Sequence, residues 1–399
     1  MKKRNYVNKK FKKKNIIFKK IKMALLLILI NNSFHVVDKQ VDYHSQIQNI
    51  ESNLDETNDE FIAFVKDNNI ESITITSVGN SIASGYTLND DVVPLLYRNE
   101  ELIDVLEDIT DLNIYNYCRP QNNTDNHILE YMADDTKLSD INEMVRFDLR
   151  EDSNMDTSNI SSANVMKYYG EDNDLTLNNI INSDSDMNII VYNGCTGKFL
   201  DGLTRGGGFS LDYFDDDIKS IDTFCSNVYL TNNKVQIYLC GIPNYFNIGT
   251  TKFVNNKIKK ISTRYPNVVY VEPAPCKMIN KNGDNIIVDI HYNHDEYLIL
   301  NNNIYSSIKD NYISTIIATD IYNELISLSS EKEFNPDINI NTQRTIENVI
   351  SRYPNASNED ISKALKKVKD LVESNYGSYF CFIPKEDILE YQYKRQTSE

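Results

Sequence analysis

The sequence predicts an α/β protein, a three-layer α/β/α sandwich around a five-stranded parallel sheet, with a C-terminal helical extension. Five short segments rich in Ile, Val and Tyr follow one another, and most are apolar at both odd and even positions. Strands covered on both faces have this pattern, and such strands belong to parallel sheets. Longer segments with helical periodicity lie between them. The predicted strands are 72–78, 112–118, 188–192, 235–239 and 268–271.

The helical segments supply the two outer layers of the sandwich. The clearest is 92–109, where apolar residues recur at the three- and four-residue spacing of one helix face. Further helices are predicted at 126–133, 216–226, 252–264 and 299–308. Alternation of strands and helices implies right-handed crossovers, which place helices on both faces of the sheet.

Four other segments surround or interrupt this unit, which occupies residues 71–310. Residues 1–36 are a basic segment followed by a short apolar run, and 37–70 read as a polar linker leading into a short helix. Residues 134–186 are polar and acidic with weak periodicity, so we interpret them as an insertion between the second and third strands. Residues 311–399 show helical patterns without strands and form the predicted extension.

One helix of the extension has a recognisable start. Ser357 stands three residues before Asp360, ahead of the helical pattern 361–374. A Ser at the N-cap with an acidic residue at the third helical position can satisfy two free backbone N–H groups reciprocally.

The N-terminal segment predicts export. Its first 22 residues carry 11 Lys or Arg and no acidic residue, and the apolar run MALLLILI follows. A basic segment before a short apolar core is typical of a secretory signal. Eight apolar residues are fewer than the ~20 that span a bilayer. We expect a secreted or surface-anchored protein that reaches a membrane through this end only, with a disordered basic tail as the alternative.

The rest of the chain is strongly acidic. The net charge is −17, and outside the basic segment 30 basic residues stand against 58 acidic ones, a net charge of −28. Such a surface repels phosphate backbones, so nucleic acid is excluded as a partner. The six cysteines contain no CxxC pair, and no metal-ligand cluster or phosphate-binding loop is evident, so no cofactor is expected.

A serine follows the first predicted strand in the segment GNSIASG, residues 79–85. Ligands of open α/β sheets bind at the carboxyl ends of the strands, so the Ser81 hydroxyl can project into the binding crevice. The N–H group of Ser81 can also bind an oxyanion. A helix N-cap is the alternative role for a serine at this junction.

A histidine segment, DIHYNHDEYL, lies between the fifth strand and the last helix of the unit. A serine nucleophile needs a base within about 3 Å, and that base needs a carboxylate to orient it. Asp289 and His291 are two residues apart on this loop and can supply both. An exposed loop with two ordinary histidines, His291 and His294, is the alternative.

The segment GNSIASG resembles the first block, GDSxxxG, of the SGNH/GDSL hydrolases, with Asn80 in place of the usual Asp. The histidine segment resembles the last block of the same family and identifies His291 as the base by its register. The resemblance implies Ser81 as nucleophile, His291 as base and Asp289 as orienting acid, with Gly79, Asn80 and Gly85 shaping the loop. It also implies the sheet order 2-1-3-4-5. The histidine segment departs from the family pattern at three points: Asp289 precedes His291 by two residues where the usual spacing is three, Tyr292 stands where the family has Pro, and Glu296 where it has Gly.

The resemblance further implies oxyanion donors after the second and third strands. In the second block the family's Gly is missing, and Gln121 or Asn122 is the candidate donor. In the third block Thr196 occupies the family's Asn position, and Asn193 is the other candidate. Turn chemistry alone also explains the Asn-rich loop near residue 122.

Two functional hypotheses follow. The first is a serine esterase that hydrolyses a carboxylic ester, such as an O-acyl carbohydrate or a lipid, through an acyl-enzyme. The second is a catalytically impaired surface protein of the same fold, which binds glycan or protein partners through its Tyr- and Asn-rich loops. A flavodoxin-like ligand-binding domain is weaker, since it leaves Ser81 and His291 unexplained.

Overall fold

The protein is described by a computed structural model. It covers residues 54–85, 93–118, 126–133, 135–151, 174–194, 211–245, 249–276, 291–330 and 338–376.

Five parallel strands form the central sheet. Their bounds are Ser72–Gly79 (β1), Asp111–Cys118 (β2), Met187–Asn193 (β3), Gln236–Cys240 (β4) and Val268–Val271 (β5). The spatial order is β2-β1-β3-β4-β5, with every neighbouring pair parallel, which confirms the predicted fold class and sheet order. A separate two-residue ladder joins Asn244–Tyr245 to Pro275–Cys276.

Helices cover the sheet and explain why its strands are apolar at successive positions. Every residue of β3 and β4 is buried, as is every residue of β1 after Ser72. The helices are Leu54–Asp67 (α1), Glu100–Ile109 (α2), Asn126–Ala133 (α3), Leu138–Glu151 (α4), Leu177–Ile181 (α5), Leu211–Thr231 (α6), Gly249–Ser262 (α7), His294–Ser330 (α8), Ile338–Ile350 (α9) and Asn358–Tyr376 (α10). Because all five strands are parallel, their carboxyl ends lie at the same edge of the sheet.

The single helix predicted over 92–109 is wrong, because Asn99 interrupts it. A short 3-10 helix, Leu95–Arg98, precedes α2. Asn99 has non-helical dihedral angles, and its side-chain oxygen accepts a hydrogen bond from Leu102 N at 3.3 Å. The buried positions Leu95 and Leu102 keep a helical spacing across the break. Apolar periodicity therefore could not reveal it.

The helix predicted within the N-terminal linker is part of the main core. Phe61 and Val65 of α1 are almost fully buried, and the Phe61 ring lies edge-on to Tyr305 of α8 with 5.0 Å between ring centroids. Aromatic pairs in this arrangement are favourable beyond the area they bury. The polar character of the preceding residues concealed this role.

The two ends of the insertion predicted at 134–186 pack against the sheet. Ile141 and Val145 of α4 are fully buried, and Tyr117 of β2 donates a hydrogen bond to Leu175 O at 2.6 Å. Asp186 accepts hydrogen bonds from the N–H groups that open β1. Residues 152–173, the middle of this segment, lie outside the described residues.

The long helix α8 belongs to two apolar cores. Its first half packs into the core around the sheet, while residues from Ile317 onward join α9 and α10 in a second core. The predicted start of the C-terminal extension at residue 311 falls inside this continuous 37-residue helix. The capping interaction predicted at Ser357 is present, with Asp360 N donating to Ser357 Oγ at 3.1 Å.

Three cysteines in the described part of the chain, Cys118, Cys225 and Cys240, are buried and form no disulfide with one another. Burial raises the pKa of the Cys225 and Cys240 thiols, so both stay protonated and are poor nucleophiles.

The basic segment 1–36, for which export is predicted, lies outside the described residues. Among the helices that the structure does describe, none has the length and apolarity needed to span a bilayer.

Candidate active site

The turn after β1 holds Ser81 through backbone and side-chain hydrogen bonds. Asn80 N donates to Asn193 O at 3.3 Å, and the Asn80 side-chain oxygen accepts from Ile82 N at 3.2 Å. Ser84 N donates to Asn80 O, and Ser84 Oγ donates to Ser81 O, each at 2.9 Å. Oδ1 of Asn80 thus makes a loop-ordering bond that an Asp oxygen can also make. The turn is fixed on both sides of Ser81.

Two glycines make this turn possible. A Cβ on Gly79 would lie 1.9 Å from Asn193 O, the carbonyl that accepts the hydrogen bond from Asn80 N. Gly85 has a φ of +72°, and a Cβ there would lie 1.6 Å from Val93 O. Only glycine permits such close backbone contact together with a positive φ.

Ser81 and His291 meet in the structure. The Oγ atom of Ser81 lies 2.9 Å from Nε2 of His291, across a separation of 210 residues in the sequence. Both side chains are partly exposed, so a ligand can reach them. The distance is within the range of a nucleophile–base hydrogen bond.

The residues after His291 anchor its loop to the core. Tyr292 is buried, donates a hydrogen bond to Ala274 O at 3.3 Å, and packs edge-on against Tyr297. Asn293 and Glu296 form a capping box at the start of α8, in which each side chain accepts from the other's N–H at 2.9 Å. The departures at Tyr292 and Glu296 therefore have structural roles, core packing for Tyr292 and helix capping for Glu296.

Arg98, which the sequence analysis did not single out, contacts both the turn that carries Ser81 and the helix that follows His291. Its guanidinium donates to Gly85 O at 2.7 Å and to Val93 O at 3.0 Å. It also lies 3.3 Å from Nδ1 of His294, the first residue of α8. Its position in an apparent amphipathic helix gave no signal of this role, because its partners are backbone carbonyls and a histidine 196 residues away.

Of the four candidates for the oxyanion donors after the second and third strands, Asn193 is the one within the described residues. It ends β3, pairs with Gly79 across the sheet, and is fully buried. Neither atom of its carboxamide has a hydrogen-bond partner in the described part of the chain. Leaving a buried amide unpaired costs about 1–3 kcal/mol. Asp289, Gln121, Asn122 and Thr196 lie outside the described residues.

The described arrangement offers a hydroxyl and a base that acyl transfer can use. A hydroxyl stands at the carboxyl end of β1, an imidazole nitrogen lies within hydrogen-bond distance, and a buried amide ends the neighbouring strand. The first two can generate an alkoxide-like nucleophile, and amide N–H groups can stabilise a developing oxyanion.

The sequence matches no protein-family model and no curated protein. Solved structures to which the chain is similar include a family two carbohydrate esterase from Clostridium thermocellum in complex with cellohexaose, at 13% identity and a TM-score of 0.32. Another is an active-site mutant of a family two carbohydrate esterase from the same organism, at 12% identity and a TM-score of 0.34. Each match covers 60% of this chain and 64% of the other, less than two thirds of that chain's length.

Proposed function

We propose that this protein is a serine esterase that hydrolyses carboxylic esters, with Ser81 as nucleophile and His291 as general base. The observation that carries the proposal is the 2.9 Å contact between Ser81 Oγ and His291 Nε2. The turn that presents Ser81 is bonded to the sheet through Asn80 N and Asn193 O, and the loop that presents His291 is bonded to Ala274 O through Tyr292. Their meeting therefore follows from the fold.

The proposed reaction begins when His291 Nε2 takes the proton of the Ser81 hydroxyl. Ser81 Oγ attacks the carbonyl carbon of the ester and forms a tetrahedral intermediate. The intermediate collapses to an acyl-enzyme, and the leaving alcohol takes the proton from His291. Water, deprotonated by His291, then attacks the acyl group and releases the acid and free Ser81. Nε2 must accept a proton, so neutral His291 carries its hydrogen on Nδ1.

We assign the oxyanion to the Ser81 N–H and the Asn193 carboxamide. The buried Asn193 amide ends the strand beside β1, and it has no partner in the described part of the chain. A substrate oxygen would satisfy it during the reaction. Removing one such donor typically costs about 3–4 kcal/mol of transition-state stabilisation. Gln121, Asn122 and Thr196 remain candidate donors, and Asp289 the candidate orienting acid for His291.

An O-acyl carbohydrate or a lipid ester is the proposed substrate class. The basic and apolar residues 1–36 support export, so we further propose that the protein works outside the cell or at its surface. The acidic body of the chain disfavours phosphate polymers as substrates.

A fluorophosphonate probe tests the proposal directly, because it reacts with serines activated by a base. We expect the native protein to be labelled and Ser81→Ala to be unlabelled. His291→Gln should slow labelling at least roughly 100-fold, the scale of a general base. Ser262→Ala, which changes a partly exposed serine on α7, is the matched control and should label like the native protein.

Hydrolysis of p-nitrophenyl acetate and of an acetylated oligosaccharide should follow the same order among these variants. A folded native protein that neither reacts with the probe nor hydrolyses any ester would contradict the esterase. That result would favour the glycan- or protein-binding surface protein of the same fold.

A further inference from the structure

The Arg98 side chain lies between the turn that carries Ser81 and the helix that follows His291. Only 5% of the residue is exposed. Its Nη2 group donates to Gly85 O at 2.7 Å and its Nε group to Val93 O at 3.0 Å. Nη1 lies 3.3 Å from His294 Nδ1, and the guanidinium carbon lies 4.9 Å from the centre of the Tyr297 ring.

These contacts use the shape of the guanidinium as well as its charge. Three different nitrogens reach three acceptors on separate segments, while the flat group lies over an aromatic face. Arginine presents its donors in a rigid planar fork, whereas lysine has one compact ammonium at the end of a flexible stem. Arg98 only donates, so His294 Nδ1 accepts and the hydrogen of neutral His294 is on Nε2.

The two segments that Arg98 connects contain the two reacting groups. Gly85 lies four residues after Ser81 in the same turn, and His294 lies three residues after His291. Arg98 itself sits on the 3-10 helix between β1 and α2, and its own backbone belongs to neither loop. A side chain that bonds to both segments limits their relative movement.

The geometry points to Arg98 as a positioning residue that holds Ser81 and His291 at hydrogen-bonding distance. This inference rests on the proposed esterase function. It goes beyond that function by assigning the pair's spacing to a third side chain, which bonds to Gly85 O and lies against His294. Catalysis is sensitive to such spacing, since a displacement of about 1 Å can reduce a rate about 100-fold.

The test compares Arg98→Met, Arg98→Lys and Arg264→Met with the native protein. Arg264 is the matched control, because it lies at the surface in an ion pair with Asp222. With p-nitrophenyl acetate, we expect Arg98→Met to lower kcat about 100-fold while KM changes less than threefold. Arg98→Lys keeps the charge over Tyr297 and should remain folded, yet we expect kcat to fall at least about tenfold because the fork is lost. Arg264→Met should keep native kinetics.

Imidazole ¹⁵N resonances provide a readout that does not need activity. Ser81→Ala defines the Nε2 shift of His291 when the serine contact is absent. We expect His291 in both Arg98 variants to move toward that shift, and in Arg264→Met to stay native.

The outcomes separate the positioning role from the esterase proposal. Native kcat and a native His291 resonance in folded Arg98→Lys, or in folded Arg98→Met, would overturn the positioning role while leaving the esterase intact. If the native protein hydrolyses no ester, the proposed esterase function is wrong, and the His291 resonance alone decides whether Arg98 has the positioning role. Should Arg98→Met not fold, Arg98→Lys decides both readouts.

Discussion

Gly79 shows how a single residue determines where the nucleophile lies. The chain must turn at the end of β1 while its backbone touches the end of β3. A Cβ at this position would lie 1.9 Å from Asn193 O and 2.7 Å from the carbonyl carbon. Backbone atoms cannot give way as the end of a side chain can, so the turn and the strand pairing would have to separate.

We therefore expect Gly79→Ala to destabilise the protein by roughly 3 kcal/mol or more, the upper end for overpacked sites. Gly241→Ala is the matched control. A Cβ there would first meet the hydroxyl of Tyr270 at 2.5 Å, a side-chain end that can move. We expect Gly241→Ala to cost clearly less in urea unfolding. Equal losses for the two variants would contradict the backbone-clash explanation.

Sequence reasoning singled out Ser81 and His291, because each stands in a short local motif, Ser81 directly after the first strand and His291 just before the last helix of the unit. The structure places their reactive atoms 2.9 Å apart. Arg98 gave no such signal. Its partners are backbone carbonyls, which every residue has, and a histidine that only folding brings near. Contacts of this kind are determined by tertiary packing and leave no pattern in the chain.

At the scale of the elements, the residue that caps the start of α8 also lies on the loop that carries His291. Asn293 lies two residues after His291, and its Oδ1 accepts a hydrogen bond from Glu296 N at 2.9 Å. The same arrangement occurs at Ser357, where α10 begins in the C-terminal core. The two caps are chemically alike and differ in their distance from the proposed active site.

We expect Asn293→Ala and Ser357→Ala each to lower the free energy of unfolding by about 1 kcal/mol, as N-cap truncations do. Only Asn293→Ala should also slow fluorophosphonate labelling, because its loop carries His291. Chemical denaturation and labelling rates measured on both variants test this. Equal labelling rates in the two variants would show that the cap does not help to hold His291.

Strands were easier to predict than helix boundaries, for physical reasons. Short apolar runs that are buried on both faces end abruptly, and β5 was predicted at the bounds it has, Val268–Val271. The break at Asn99 was missed because apolar spacing continues across it. The continuity of α8 was missed because its buried face belongs first to one core and then to the other.

In the molecule as a whole, Lys367 of α10 lies at the contact between the C-terminal helices and the sheet. Its Nζ donates to Val268 O of β5 at 2.9 Å and to Thr315 Oγ1 of α8 at 3.4 Å. Desolvation of the ammonium lowers the pKa of Lys367 to about 7. An unfolded lysine has a pKa near ~10.4.

Lys367 should therefore make stability depend on pH. Below about pH 7 the ammonium is protonated in both states, and between about 7 and 10 the unfolded chain binds more protons than the folded one. Stability should rise with pH across that window. The rise is at most about 1.4 kcal/mol per pH unit, and less because the stem of the side chain is partly exposed.

Urea unfolding at several pH values between about 7 and 9 measures this slope. We expect Lys367→Met to flatten it, and Lys366→Met, which changes the exposed neighbouring lysine, to leave it unchanged. A native slope in Lys367→Met would assign the pH dependence to other groups.

The helix α8 belongs to both apolar cores and so connects them physically. A helix of 37 residues is about 55 Å long at the helical rise of ~1.5 Å per residue. Its first half packs into the core around the sheet and its second half into the C-terminal core. If α9 and α10 detached, the second half of α8 would lose its apolar partners. Unfolding of that half would then extend along the helix toward His294, three residues after His291. The continuous backbone of α8 thus connects the proposed active site to the C-terminal core.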